Sequence, residues 1–416
     1  MISNPALVLI LGALPVPLLP RRVRTGWMLA VPIAALVLLW MMPEGTAGSL
    51  ELLALTLEPV RVDSLARLFA TAFCVAALLA VIYALHVRDR IQQTAILVYA
   101  GAAVGGSLAG DLVTLFVFWE LTGFSSVFLI WARRTERSYR AGMRYLAAQV
   151  LSGLLLLAGI VLQWHSGAGL RFEFIGLDEP GGVLIMVALG IKCAFPVLHA
   201  WLQDTYPEAT AVGTVVLSSF TTKLAVYALA RGYPGTDVLV WIGVVMTCFP
   251  IFYAVIENDL RRVLSYSMIN QLGFMVVGVG IGGSLGINGA AAHAFADIFF
   301  KALLFMSLGA VLTRVGTVKA TELGGLYKSM PQTTLLCMVG AASISAFPLF
   351  SGFATKSLIL EAVAEEHRTV VWLLLLFASA GVFHQAGIKI PFFTFFAHDS
   401  GHRVREASVN MRLAMG

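Results

Sequence analysis

Apolar positions in this 416-residue chain gather into long unbroken runs. They do not show the alternation of half-buried strands or the narrow stripe of surface helices. A run of about 17 to 25 apolar residues is long enough to cross a bilayer as a helix. About thirteen such runs occur, near 4–20, 26–42, 63–86, 92–109, 111–131, 142–164, 181–201, 209–230, 238–256, 263–282, 288–313, 331–365 and 370–397. The connections between them sort by charge. One alternate set carries Arg21, Arg22, Arg24, Arg88, Arg90, Arg133, Arg134, Arg137, Arg140, Arg144, Arg261, Arg262, Arg314, Lys319, Lys328, Arg403, Arg405 and Arg412, whereas the other carries only Arg61, Arg171, Arg231 and Arg368. Cytoplasmic loops collect Lys and Arg, so the first set is expected inside and the N-terminus outside. The pattern predicts an all-α, polytopic membrane protein of about thirteen transmembrane helices in the inner (plasma) membrane of a cell.

Composition agrees, with 59% hydrophobic and 12% charged residues against about 25% charged in soluble domains. The net charge of +5 is accounted for by the cytoplasmic loops, so no nucleic-acid partner is implied. Cys74, Cys193, Cys248 and Cys337 lie in apolar runs without CxxC spacing, which argues for small core residues over a metal or disulfide framework. The opening MISNPALVLILGALPVPLLP has neither a basic flank nor a small-residue cleavage site, so a retained first span is expected.

A faint repeat runs through the chain. Gly123-Phe124 matches Gly273-Phe274, LLLLAGIVL from Leu154 matches LLFMSLGAVL from Leu303, and Ala194-Phe195-Pro196 matches Ala346-Phe347-Pro348. The offset is about 150 residues each time. Five helices separate equivalent segments, and an odd number turns the second copy upside down, as in transporters built from inverted repeats. The expected organisation is an N-terminal three-helix region (1–91), a first five-helix repeat (92–235), a second, inverted one (236–397) and a cytoplasmic tail (398–416). Each repeat has a proline-broken helix, at Pro196 and at Pro348.

The chemistry lies in ionisable residues inside these runs. A charge at the bilayer centre costs roughly 3 kcal/mol on insertion scales, so its default reading is functional. Glu120, Lys192 and Lys223 each sit about ten residues from either end of their runs, beyond the reach of snorkelling. Pro196 cannot donate the N–H that would satisfy the carbonyl of Lys192, and such a break in lipid needs protein or water around it. Lys356 follows the equivalent break at Pro348 and Gly352. Asp297 and Lys301 lie four apart on one helical face, where a local ion pair is the simple alternative. His293, near the start of the same run, reads equally as an ordinary buried histidine. Lys389, close to the end of its run and followed by Pro391, is expected to snorkel to the cytoplasmic surface. Burial disfavours an ammonium and a nearby carboxylate restores it, so moving a charge switches a lysine between holding and releasing a proton. A chain of Lys, His and acid side chains is what a membrane proton relay needs. A single central His and Asp offer too few ligands for a metal, and neither phosphate loop, cysteine cluster nor paired histidines point to a cofactor. The expectation is proton transfer with no cofactor, no metal and no redox chemistry of the chain's own.

The stretches DLVTLFVFWELTGFSSVFLIW (111–131), IKCAFPVLHAWLQDTYPEA (191–209), DLRRVLSYSMINQLGFM (259–275), HAFADIFFKALLFMSLG (293–309) and SAFPLFSGFATKSLI (345–359) resemble the proton-conducting antiporter-like membrane proteins. That family joins the large subunits of Mrp-type multisubunit cation/proton antiporters to the antiporter-like subunits of complex I and membrane-bound hydrogenases. GTVVLSSFTTKLAVYALAR and the ending AGIKIPFFTFFAHDSGHRVREASVNM look most like the D-type large component of the Mrp antiporters. The resemblance implies a lateral proton path through Glu120, Lys192, Lys223, His293, Lys301 and Lys356, with two half-channels, one open to each side. Three features depart from the family. Gln203 replaces the proline common before the acidic Asp204, Asp297 stands where some members have a second histidine, and the chain stops at Gly416 where members continue into a further span. The departures leave a truncated or inactive relative as an alternative. Three functions fit: a subunit of a Na+ or other monovalent cation/proton antiporter; a proton-pumping subunit of a redox-driven complex of the complex I or hydrogenase type; or a proton-conducting partner in an ion-uptake assembly. In each the partners are other membrane subunits, protons and the lipid bilayer.

Overall fold

The computed structural model describes residues 4–52 and 55–416. Its first helix, α1 (Pro5–Ala13), starts from Asn4, whose side chain accepts the Ala6 N–H at 2.9 Å. It runs nine residues and no further, because Pro15 and Pro17 lack the N–H groups that would continue it. The expected first span at 4–20 is therefore not a single crossing helix. α2 (Arg21–Met41) and α3 (Ser64–Ala84) follow. Between them lie two short antiparallel pairs, Gly45–Thr46 with Arg61–Val62 and Leu50–Leu52 with Leu55–Leu57, a small departure from an all-α chain. α4 (Arg90–Leu108), α5 (Leu112–Trp131) and α6 (Glu136–His165) complete the leading helices. Asp63, Asp89, Asp111 and Thr135 cap α3 to α6 by accepting backbone N–H groups that a helix start leaves free.

The seventh run is split into α7 (Gly182–Lys192) and the short α8 (Ala200–Thr205). The eighth is α9 (Ala211–Ser219) and α10 (Thr221–Gly232), interrupted at Phe220, where φ is −111° and ψ −68°. α11 (Asp237–Ile256), α12 (Leu260–Ile281) and the 33-residue α13 (Gly283–Val315) come next. The twelfth run splits into α14 (Pro331–Ile344) and α15 (Ser351–Glu365). α16 (Thr369–Val382) continues into π-helical turns over 383–389 and 392–396.

Among the described residues nine helices are long and apolar enough to cross a membrane, not thirteen. Each of the other four expected runs has a helical counterpart that falls short for a local reason. α1 is too short, α4 opens on the polar Arg90-Ile91-Gln92-Gln93-Thr94, and the runs holding Pro196 and Pro348 are each two shorter helices. The α9–α10 span and α12 are buried along almost their whole length, whereas α2 and the α16 span lie at the periphery.

The two breaks share one backbone. Ala194 and Val197 take φ of 61° and 72°, and their counterparts Ala346 and Leu349 take 57° and 76°, a left-handed conformation that non-glycine residues rarely hold. The hydrogen bonds correspond too: Phe195 donates to the carbonyl of Gly190 and Leu198 to that of Phe195, as Phe347 donates to Ala342 and Phe350 to Phe347. Two further points match. Leu112 N–H bonds the Leu170 carbonyl beside an Asp111–Arg171 bridge, and Leu260 N–H bonds the Val318 carbonyl beside an Asp259–Lys319 bridge.

The tail does not hang free. Glu406 accepts from Gln332 N–H at 2.8 Å and from the Thr333 hydroxyl at 2.5 Å, capping α14. The last helix, α17 (Val409–Met415), packs on α3, where Asn410 donates to the carbonyls of Ile82 and Tyr83.

Candidate functional site

Lys192 ends α7 and is fully buried. Its Nζ donates to the Trp119 carbonyl and, at 2.9 Å, to Thr122 Oγ1, both on α5, and lies 4.5 Å from the centre of the Trp119 ring. That ring is braced in turn: its Nε1 donates to Ser152 Oγ at 2.9 Å, and Ser152 donates to the Ala188 carbonyl at 2.7 Å. The ammonium thus rests on a carbonyl, a hydroxyl and a π-face, each able to stabilise a cation. Glu120 is next to Trp119 in sequence on α5. Its carboxylate lies over Gly153 of α6, where an added Cβ would sit 1.6 Å from Oε1. Among the described residues Oε1 has no hydrogen-bond partner.

Lys223, on the first turn of α10, is also fully buried. Its Nζ lies 2.7 Å from Asp297 Oδ2 on α13 and donates to the Ser218 carbonyl at 2.9 Å. The local pair of Asp297 with Lys301, the simple alternative to a functional role, is not formed. Asp297 binds across to α10, and Lys301 Nζ donates to Ser267 Oγ of α12 at 3.0 Å. His293, one turn before Asp297, is 0% exposed and bridges two helices through Nδ1 to Thr355 Oγ1 of α15 (2.8 Å) and Nε2 to Gln271 Oε1 of α12 (3.1 Å). Gln271 spends its N–H on Asn270 Oδ1 at 2.8 Å, so Oε1 must accept and His293 Nε2 must carry a proton. Thr355 has one hydroxyl proton and two acceptors, Nδ1 and the Ser351 carbonyl at 3.0 Å. Whether His293 is neutral or an imidazolium is therefore tied to which way that hydroxyl points. Lys356 Nζ donates to the Ile344 carbonyl at 2.9 Å and lies 5.1 Å from the Phe274 ring centre.

His293, Asp297, Lys301, Lys223 and Lys356 are thus brought together around α13, with Lys192 and Glu120 at the α5–α7 end. Two other candidates stand apart. Asp204 is half-exposed and pairs with Arg144 at 3.5 Å. Lys389 does not snorkel into solvent: its Nζ donates to the carbonyls of Ala254, Val255 and Glu257 at 2.6–2.9 Å, closing the C-terminus of α11. Sequence reasoning missed Thr122, Ser152, Ser267, Gln271 and Thr355, the neutral partners of the charged residues; polar side chains inside apolar runs were the available signal. It also missed Gln149 and Gln385, which with Gln203 are buried with neither amide atom bonded among the described residues. Such side chains are the usual lining of internal water sites.

The model of the NADH:quinone oxidoreductase/Mrp antiporter transmembrane family matches residues 109–383, which hold all of these groups except Gln385 and Lys389. The chain belongs to that family. Named relatives include the A/B component of a probable K+/H+ antiporter of Rhizobium meliloti, 30% identical over 74% of this chain and 33% of the relative. The D component of a Na+/H+ antiporter of Alkalihalophilus pseudofirmus is 30% identical over 67% and 62%. The L component of the F420H2 dehydrogenase of Methanosarcina mazei is 28% identical over 72% and 52%. The chain spans between a third and about three-fifths of the length of these relatives. Among solved structures, a chain of the Mrp complex from Dietzia sp. superposes with a TM-score of 0.83 at 23% identity, over 95% of this chain and 80% of the other. A chain of the membrane-bound sulfane sulfur reductase, an archaeal respiratory membrane complex, superposes with a TM-score of 0.89 at 23% identity, over 99% and 73%. These two share the fold, and membership of the family makes this chain a multi-pass membrane protein.

Proposed function

We propose that the chain is the proton-translocating subunit of a multisubunit monovalent cation (Na+)/proton antiporter in the plasma membrane. The observation that carries the reading is the row of buried ionisable groups between the two proline breaks: Lys192, Lys223 with Asp297, His293, Lys301 and Lys356. Burying this many charges costs several kcal/mol each, and no packing need calls for them. In this reading 92–235 and 236–397 act as two inverted halves. Lys192 holds a proton under the influence of Glu120, Lys223 passes it across to α13, and Lys356 stands at the far end. The D-type and A-type antiporter relatives resemble the chain to a similar degree, so its place within the complex is proposed at the level of a large antiporter subunit.

A second reading has its own support, the likeness to the F420H2 dehydrogenase component and to the sulfane sulfur reductase chain. There the same path would be driven by electron transfer in partner subunits. Neighbouring genes separate the two, small antiporter subunits against quinone and iron–sulfur subunits. The direct test is cation-driven relaxation of a pH gradient in vesicles holding the whole complex. Lys192→Ala is expected to abolish it with assembly intact; exchange at the wild-type rate overturns the path.

A further inference from the structure

The interruption at Phe220 ends α9 and starts α10 inside one apolar span, and it presents the Ser218 carbonyl at the C-terminal end of a half-helix. That end carries partial negative charge. Opposite stands the Asp297 carboxylate, fully buried, with Oδ2 taken by the Lys223 ammonium at 2.7 Å and Oδ1 without a hydrogen-bond partner among the described residues. The Thr222 hydroxyl, also fully buried, has no partner among them either. A half-helix carbonyl end and a carboxylate in mid-membrane are the oxygen donors with which transporters hold a small monovalent cation. The Lys223 ammonium sits among these oxygens as a tethered cation, and its deprotonation would leave their negative charge uncompensated.

We propose that Asp297, with the Ser218 carbonyl, is a monovalent-cation site for which a sodium-class ion and the protonated Lys223 compete. The inference rests on the antiport reading above and gives it an exchange step. In one state Lys223 carries its proton and pairs with Asp297. In the other Lys223 is the neutral amine, its nitrogen keeping the lone pair, the proton has left along the buried row, and the cation has taken its place beside the carboxylate. Each state holds one positive charge against one carboxylate, so the exchange is one cation for one proton. The charged and titratable groups facing this point are few. On α13 they are His293 and Lys301, one turn to either side; α15 brings Lys356, the residue after α7 the Cys193 thiol and α4 the Tyr99 hydroxyl through Thr221. α3 meets α10 through Phe69 and Phe73, against Tyr227 and Phe220, and α12 offers the neutral Ser267 and Gln271. Asp297 is the single carboxylate in this set.

The test is saturable binding of radioactive sodium ion to the purified full chain in nanodiscs, with choline chloride as the control salt, across pH. Competition with one proton requires the apparent Kd for sodium to rise about tenfold for each pH unit of acidification. Lys223→Gln should bind sodium with a Kd that no longer follows pH. The pair Asp297→Asn with Lys223→Gln, which leaves no unpaired buried charge to unfold the chain, should show no saturable binding. A wild-type Kd independent of pH, or binding that survives in the double variant, overturns the proposal. The two readings fail separately. Lys192→Ala should stop exchange in vesicles while sodium still binds at Asp297. Exchange that needs Lys192 alongside sodium binding that ignores Asp297 removes only this inference, and absence of cation exchange from the whole complex removes the antiport reading.

Discussion

Replacing Gly153 by alanine tests whether the position of Glu120 matters for proton transfer without touching an ionisable group. The new Cβ would lie 1.6 Å from Glu120 Oε1 and 2.4 Å from its Cδ. Non-bonded contact begins near 3.5 Å, so the carboxylate must retreat by about 2 Å. The atoms that give way are the end of a flexible side chain, which keeps the folding cost at the low end of overpacking, about 1 kcal/mol. Transfer is far less tolerant, because a proton moves only across hydrogen-bond distance and a misplacement of about 1 Å can cost on the order of a hundredfold. The expected result is assembly at wild-type level, read on native gels, with proton transfer slower by about a hundredfold or more, read as decay of a pH gradient in vesicles. Combining Gly153→Ala with Glu120→Gln should add nothing to the loss in Glu120→Gln alone. A wild-type rate in Gly153→Ala, or full additivity in the double variant, refutes the claim that this carboxylate position is used.

Two further predictions concern the frame around the path. Lys389→Ala removes three bonds from the C-terminus of α11 and should lower stability by about 1–2 kcal/mol while leaving proton transfer; a thermal melt and the vesicle assay check this, and lost transfer with unchanged melting would make Lys389 part of the path. At the other surface Arg231 donates to both oxygens of Asp63 at 2.8 Å, beneath the start of α3. Burial pushes the Asp63 carboxyl up, but the Arg231 charge, the Ala66 N–H and Arg61 hold it below its ordinary value. A depressed acid gives stability that is complete above its unfolded value near 3.9 and is lost as pH falls through the folded one. Melting temperature should therefore drop more steeply below about pH 4 in the wild type than in Asp63→Asn, and identical acid limbs would exclude the contribution.

Sequence reasoning found the elements that composition controls. Apolar runs located every long helical segment, and Pro196 and Pro348 located both breaks, because a missing N–H acts through local covalent structure. Nine helices among the described residues, not thirteen, are long and apolar enough to cross as single helices, since run length does not say whether Pro15 and Pro17 end a helix or whether two short helices share a run. Pairing was the least legible level. Asp297 and Lys301, four apart, satisfied the spacing rule for an ion pair, yet the carboxylate meets Lys223 from a distant part of the chain. Only the approach of α10 to α13 decides that. Lys389 failed in the same way, since the three carbonyls it closes belong to the end of another helix.

The matched breaks make the unmatched charges informative. Ile344 occupies in the second break the position that Lys192 holds in the first, the last residue of the leading half-helix. The second lysine, Lys356, stands beyond the break on α15 and reaches back to the carbonyl of that same Ile344. One backbone device thus carries its ammonium before the break in one half and after it in the other. Lys192 draws on α5 for its carbonyl, hydroxyl and π-face, whereas Lys356 bonds a carbonyl of its own broken helix. A shift of α5 against α7 therefore loosens the hold on Lys192 directly and leaves Lys356 untouched, while a change in the angle of the second break acts on Lys356 alone. If the proposed path runs between these two lysines, ends that answer to different motions could be opened in turn. Strictly repeated charges, each held in the same way, would have answered to the same motion in both halves.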